Sequence, residues 1–394
     1  MCNRKLHIVF VTKELGINKN TGGIGTYVWD LAKSIVKSNH NVTVVTEQTD
    51  ERQELWMEGV RIICVSPETP ANPYLNIKKY WSEFHRYRLD IVNTLNNINK
   101  EEKIDIVEFA EYRAESLFWN NKSIKTIVRW HTPLGWEFNL RKVLYYPINK
   151  IIRKYEIKCI EKANYISFPS GWMKEKVEEV LSVGNNSIVI PNGINIDEWN
   201  YEFTNNLFVK DNEINIVYAG TLNDRKGFKE LIEAVQILRK KKYKINLYLI
   251  GRQSSSSRNY LEKNNLTNCE WLNIIDPLNR NLLNQYYAQS DICCFPSWFE
   301  TVGIVNLEAM ASKGIVISST NSGMREIIED GVNGYLVNPK DSNLLAKKIE
   351  EAINLNTDSK NKIQEKARET IEQSIANKVV SKQYLNLCLN LLQK

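Results

Sequence analysis

Glu300 and Glu308 stand eight positions apart in Phe295-Pro-Ser-Trp-Phe-Glu300-Thr-Val-Gly303-Ile-Val-Asn-Leu-Glu308-Ala-Met-Ala. The stretch reads as a strand end, a glycine loop and a helix start. One short segment thus supplies two carboxylates, backbone N–H donors and a helix N-terminus. Carboxylates accept hydrogen bonds from sugar hydroxyls, while free N–H groups and the positive end of a helix attract phosphate. Acidic residues are also favoured in a helix's first turn for purely structural reasons. The inference therefore rests on the whole combination: the apolar strand Asp291-Ile-Cys-Cys-Phe295, the Pro-Ser turn, Gly303 and both carboxylates.

Five further segments carry candidate chemistry. Thr21-Gly22-Gly23-Ile24-Gly25-Thr26 follows the first strand and opens a helix, a place where missing side chains let backbone N–H groups approach a phosphate or sugar. It fails the dinucleotide fingerprint, because Val28 occupies the third glycine position. Gly220-Thr-Leu-Asn-Asp-Arg225-Lys226-Gly227 likewise joins a strand to a helix and offers two cations. Ile127-Val-Arg-Trp-His131 closes an apolar strand with a histidine. Ile104-Asp-Ile-Val-Glu108-Phe-Ala-Glu111-Tyr112 ends a preceding strand at Glu108, with Glu111 and Tyr112 beyond it. Ser318-Ser-Thr-Asn-Ser-Gly323-Met-Arg-Glu326 joins another strand to a helix, and Glu326 reads as a helix-start or interdomain residue.

These loops need a scaffold, and the apolar patterning supplies one twice. Strand His7–Val11, a helix over Tyr27–Ser38 and strand Val42–Thr46 are answered by strand Ile214–Ala219, a helix over Lys229–Lys240 and strand Ile245–Ile250. Buried strands alternating with crossover helices imply an α/β chain of two Rossmann-like, doubly wound parallel sheets. Such sheets bind ligands at the carboxyl ends of their strands, so two of them facing each other would leave a cleft. The Pro-Asn-Gly turn after Ile188-Val-Ile and the polar stretch Tyr201–Glu213 set the expected boundaries. These are residues 1–198, residues 199–376, and a C-terminal helix, 377–394, that returns to the first domain.

A chain of 394 residues is long for one core, which agrees with two domains. With 43% hydrophobic and 25% charged residues the composition is globular. The net charge of +6 is too small to argue for nucleic acid. Seven cysteines without Cys-x-x-Cys spacing indicate neither a disulfide framework nor zinc. The opening apolar run stops at Lys13 and Glu14, too short for a signal-peptide core, and no segment has the length of a membrane span, so a cytoplasmic protein is expected. Two stretches, Lys78–Arg88 and Arg141–Lys154, interleave basic with aromatic or aliphatic residues. That pattern fits a helix lying on anionic lipid, and equally an amphipathic helix packed on its own domain.

The Glu-seven-residues-Glu signature followed by Ala-Met-Ala resembles the retaining glycosyltransferases of family 4, which have the GT-B fold. The Gly22-Gly23-x-Gly25 loop, Lys226-Gly227, His131 and Pro-Asn-Gly extend the resemblance over nearly the whole chain. Two positions depart from the family pattern: Thr221 replaces an arginine, and Ser322 replaces a glycine. The resemblance implies that Gly22, Gly23, Gly25, Arg225, Lys226, Gly303, Ile304, Val305 and Glu308 bind a nucleotide-sugar donor, UDP-sugar rather than GDP-sugar. It implies catalytic roles for Glu300, Lys226 and His131, with Glu108, Glu111 and Tyr112 on the acceptor side. No metal or cofactor is implied, since cations replace the metal at the donor phosphate. The acceptor would be a cell-surface glycan, lipid-linked or saccharide, with peripheral contact at the inner membrane face. A sugar-nucleotide epimerase of the same fold and a catalytically silent partner subunit are the alternatives.

Overall fold

The computed structural model describes residues 4–15, 22–47, 53–68, 72, 75–131, 147–179, 181–184, 186–199, 201–208 and 213–393. Thr21, residues 132–146 and residues 209–212, which enter the expectations above, lie outside the described residues. The chain divides into two units. The first contains residues 1–169, 174–193 and 377–394; the second contains residues 170–173 and 194–376.

The first unit is built on β1 (His7–Thr12), β2 (Asn41–Glu47), β3 (Glu54–Met57), β4 (Val60–Val65), β5 (Ile106–Ala110), β6 (Lys125–Arg129), β7 (Tyr165–Phe168) and β8 (Ser187–Val189). They form one sheet in the order β3-β4-β2-β1-β5-β6-β7-β8, parallel except for the β3–β4 pair. β1 and β5 are buried along their whole length, as strands covered on both faces must be. The helix Gly23–Lys37 turns Tyr27, Leu31 and Ile35, at helical spacing, onto the sheet.

The C-terminal helix Asn377–Gln393 belongs to this same unit. Its buried seam is Val380, Tyr384, Leu387, Cys388 and Leu391, which join Phe10, Tyr27 and Leu31 in one core. Leu385, Leu389 and Leu392 are only half-buried at its margin. Ser381 Oγ accepts a hydrogen bond from Ser34 Oγ at 2.9 Å, tying the helix to Gly23–Lys37.

The second unit holds β9 (Ile214–Ala219), β10 (Ile245–Ile250), β11 (Leu272–Ile275), β12 (Ile292–Phe295), β13 (Val316–Ser319) and β14 (Tyr335–Val337). All are parallel, in the order β11-β10-β9-β12-β13-β14. The helix Phe228–Lys240 buries Phe228, Leu231, Ile232, Val235 and Leu238 on one face and carries Arg239 and Lys240 in its last turn, where the dipole favours cations.

The passage between units falls at 193/194, before the expected 198/199, because Ile194 and Trp199 pack in the second core and Ile194 N donates to Ile375 O at 3.1 Å. The inclusion of Ser170–Met173 in the second unit was not foreseen. Ser170 Oγ donates to Thr301 O at 3.1 Å, and the Trp172 ring lies 5.1 Å from that of Phe299. These are contacts between residues distant in sequence, with no local pattern to announce them.

Candidate active site

In the second unit successive strands run outward from β9 through β10 to β11, then return to the other side of β9 as β12, β13 and β14. The order reverses between β9 and β12, and ligands of open parallel sheets bind outside the carboxyl ends at such a point. Gly220–Gly227 leaves the end of β9 and Pro296–Gly303 leaves the end of β12. The two loops converge on Glu300. Lys226 Nζ donates to Glu300 Oε2, and Arg225 Nη1 approaches the same oxygen at 3.5 Å while donating to Phe299 O at 3.1 Å. The Glu300 side chain is 14% exposed. Burial works to raise its carboxyl, and Lys226 with Arg225 overcomes this, leaving it below the usual range and anionic.

Local geometry explains the loop residues. Asn223 Oδ1 accepts from Lys226 N at 3.2 Å, closing the turn Asp224–Lys226. Gly227 then adopts φ +72°, and a Cβ there would come within 2.1 Å of Pro296 O, so only glycine lets the two loops meet. Trp298 N donates to Arg225 O at 2.7 Å, fixing the registry of the cations against Glu300. Thr221, at the place of the family arginine, is exposed.

Gly303, at φ +81°, begins the helix Ile304–Ala311, and a Cβ on it would meet Asn306 Nδ2 at 2.6 Å. The first N–H groups of a helix have no partner within it, so Ile304 and Val305 present donors and the dipole's positive end beside Glu300. Glu308 lies one turn on, 7% exposed, and Tyr287 Oη donates to its Oε2 at 3.4 Å. Ser322, where the family has glycine, is extended at φ −152° and needs no glycine; its hydroxyl accepts from Met324 N at 3.2 Å. Glu326 ends the turn Gly323–Glu326 and accepts from the N–H groups of Gly171 and Trp172, at 2.9 Å from Gly171 N. It therefore caps a helix N-terminus far away in sequence rather than starting its own helix.

The first unit reverses its strand order between β1 and β5. Gly23 already lies in the first turn of the helix Gly23–Lys37 and Gly25 is buried within it, so Gly22 alone precedes the helix. Gly22 N donates to Glu14 Oε2 at 2.9 Å, putting a carboxylate at this helix N-terminus. Glu108 was expected to end its strand; the strand continues through Phe109 and Ala110, and Glu108 is 2% exposed within the core rather than lining an open pocket. Tyr27 Oη donates to Glu108 Oε1 at 3.2 Å, and burial lifts its carboxyl to about 7. Glu111 is fully buried and accepts from His131 N at 2.8 Å. Tyr112 follows at half-buried exposure. His131 itself is buried edge-on to Tyr27, with ring centroids 5.5 Å apart; burial and then Arg129 push its pKa well down, so it is neutral at physiological pH.

A charge cluster that the sequence did not announce sits at the same end. Lys13 Nζ and Arg113 Nη2 each reach Glu68 at 3.0 Å, and the fully buried Arg88 reaches it at 3.4 Å. Burial works to raise the Glu68 carboxyl, but Arg113, Arg88 and Lys13 pull it to about 2. Arg113 and Ala114 both have positive φ, at +56° and +57°, a strain of about 1 to 3 kcal/mol each for such residues. Arg88 holds them by donating to both of their carbonyls, and Glu156 accepts from Arg113 N at 2.8 Å. Among the described residues no group of three or more His, Cys, Asp or Glu side chains is arranged to hold a metal ion.

Residues 201–370 match the family described as glycosyl transferases group 1, and residues 21–198 match glycosyltransferase family 4. An uncharacterized glycosyltransferase of Methanocaldococcus jannaschii is 26% identical over 82% of this chain and 83% of its own length. A capsular polysaccharide biosynthesis glycosyltransferase of Staphylococcus aureus is 25% identical over 58% of this chain and 61% of its own. Among solved structures, sucrose-phosphate synthase of Thermosynechococcus elongatus superimposes with a TM-score of 0.82 at 18% identity, covering 99% of this chain and 100% of that one. The Anabaena protein HepE, solved with UDP-glucose, has a TM-score of 0.71 at 16% identity and covers 98% and 100%.

Proposed function

Because the chain belongs to the glycosyltransferases of group 1 and family 4, we propose that it moves a sugar from a nucleotide-sugar donor, of the UDP class, to a hydroxyl of a cell-surface glycan or lipid-linked acceptor, with retained anomeric configuration and without a metal. The carrying observation is the convergence of Lys226, Arg225 and Glu300 beside the N-terminus of helix Ile304–Ala311 at the strand-order reversal of the second unit. The UDP-glucose bound by the Anabaena neighbour and the capsular pathway named for the Staphylococcus relative support the donor and acceptor classes.

In this reading Lys226 and the Ile304 and Val305 N–H groups take the donor diphosphate, whose charge grows as the sugar leaves. The phosphate competes with Glu300 for Lys226. Once released, the anionic Glu300 accepts a hydrogen bond from the donor sugar, and Glu308 accepts from the ribose hydroxyls. Arg225, already aimed at Glu300, supplies the second cation in place of the arginine absent at 221. Gly22, Gly23, Gly25 and His131 are assigned to the donor by resemblance; being neutral, His131 can donate or accept a hydrogen bond without adding charge. Front-face attack, with the departing phosphate taking the acceptor's proton, then requires no protein nucleophile.

The test is hydrolysis of a panel of UDP- and GDP-sugars with EDTA present, followed by the anomeric form of the released sugar. Slow release of one nucleotide with the α sugar is expected. Absence of both release and donor binding would overturn the reading in favour of a silent partner subunit, and turnover to an isomeric sugar nucleotide would favour the epimerase. For the ribose role, Glu308→Gln is expected to weaken donor binding by at least about tenfold, since a charge-assisted hydrogen bond contributes roughly 1.5 to 3 kcal/mol.

A further inference from the structure

The first unit carries two neighbouring helices whose outward faces share one chemistry. On the helix Ile77–Glu101, Ile77, Trp81, His85 and Leu89 fall four residues apart and so form a single stripe. Ile77 and Leu89 are 45% and 48% exposed. The inner residues Tyr80 and Phe84 already fill the core between this helix and the helix Pro147–Lys162, together with Ile152 and Cys159, so the outer stripe is surplus to packing. Trp81 and Tyr155 bridge the two helices with ring centroids 6.1 Å apart, and His85 meets the exposed Phe118 at 5.4 Å. Ile151, one turn before Tyr155, is 37% exposed.

Lysines line the same faces. Lys150, Lys154 and Lys158 are exposed at four-residue spacing on the second helix, and Lys78 and Lys79 are exposed in the first turn of the other. Acidic residues are drawn away from them. Glu83 and Asp90 both pair with Arg86, Glu156 is buried, and Glu101 and Glu161 stand at the C-terminal ends of their helices. No helix among the described residues is long and apolar enough to cross a membrane. Apolar tips among lysines that meet no acidic partner among the described residues, on helices lying side by side, fit a surface that is anionic outside and apolar beneath.

We infer that this face of the first unit docks onto an anionic phospholipid surface, inserting Ile77, Leu89, Phe118 and Ile151 to headgroup depth while Lys78, Lys79, Lys150, Lys154 and Lys158 meet lipid phosphates. The docking is independent of the transferase reading, because none of these residues belongs to the candidate active site. It places the enzyme where a lipid-linked hydroxyl would be presented to it.

Cosedimentation of the full chain with phosphatidylcholine vesicles, with and without roughly 30% phosphatidylglycerol, tests it. Binding is expected only to the anionic vesicles and weakens with added salt. Each lysine near an anionic leaflet contributes about fivefold, so Lys150→Glu/Lys154→Glu/Lys158→Glu should weaken binding by more than about 100-fold. Ile77→Ser/Ile151→Ser should weaken it at unchanged salt dependence. Both variants alter exposed side chains and should keep the wild-type melting temperature and nucleotide-sugar hydrolysis. Equal binding to both vesicle types, no binding to either, or variants that bind as wild type would overturn the inference. A wild-type dimer in solution that the triple variant dissolves would assign the face to a second copy instead.

Discussion

Both units reverse strand order at the centre of a parallel sheet and send glycine-bearing loops from the strand ends, yet they arrange charge there in opposite ways. In the second unit two adjacent cations share one glutamate, and the neighbouring helix N-terminus carries no acidic residue in its first turn. In the first, Glu14 already occupies the helix N-terminus, and Glu68 answers three cations at once. Glu108 and Glu115 are buried, and burial raises their carboxyls to about 7 and about 8, favouring the protonated forms. The lesson is that a shared architecture fixes where a ligand enters, while the balance of cations and carboxylates decides whether an anion is invited. On the proposed reading, the cations of the second unit take the donor phosphate.

Removing one cation from each unit is the largest way to break this contrast. Lys226→Ala should cut transfer by about 10²- to 10³-fold, the usual loss for one donor aimed at developing charge. Lys13→Ala should leave nucleotide-sugar hydrolysis unchanged; equal losses in the two would abolish the distinction. Next comes Gly227→Ala, which puts a Cβ against Pro296 O at positive φ. A loss of about 2 to 3 kcal/mol of second-unit stability is expected in denaturant titration, with hydrogen exchange in β1 unaffected.

A smaller effect separates the units by pH. All four histidines lie in the first unit and burial lowers each, so their unfolded forms still bind protons near pH 6.5 and add an opposing, rising slope until about pH 7.5, above which they are neutral in both states. Glu108 and Glu115 behave oppositely. Their folded pKa values exceed the ordinary 4.5, so the folded unit keeps protons that the unfolded chain has lost. First-unit stability should therefore fall as pH rises from about 7.5 to 8.5, where the histidines no longer contribute, by up to about 1.4 kcal/mol per pH unit per group. Glu108→Gln/Glu115→Gln should flatten that slope, read as hydrogen exchange in β1 and β5. Smallest is Ser322→Gly, which removes a turn cap and should destabilise the second unit by about a few tenths of a kcal/mol in thermal unfolding despite moving toward the family residue.

Strands β9 and β10 were readable residue for residue, because a strand buried on both faces is a continuous apolar run bounded by polar turns. The convergence of Lys226 and Glu300 was legible as a motif and no further: the 74 positions that separate them carry no sign of which oxygen the lysine meets. Glu108 was misplaced because a charged residue in an apolar run reads as the run's end, whereas here the Tyr27 hydroxyl supplies a donor and burial favours the protonated carboxyl, which lets it stay inside. The helix after Gly22 begins earlier than its first large apolar residue, since glycines hide the periodicity. The Glu68 cluster was invisible for a different reason: its members come from four separated segments, and each alone looks like an ordinary surface charge.

The C-terminal helix has a consequence for the order in which the protein is made. Its side chains complete a core begun by β1, where the Tyr384 ring lies 5.8 Å from that of Phe10. The second unit is in effect an insertion between residues 193 and 377 of the first. On the ribosome the later-encoded unit has all its strands once residue 376 has emerged, while the first must wait for the helix Asn377–Gln393. The N-terminal half of the nascent chain therefore spends most of synthesis with Phe10 and Tyr27 uncovered, and a ribosome that stalls in the last helix releases a chain with one finished unit and one open core.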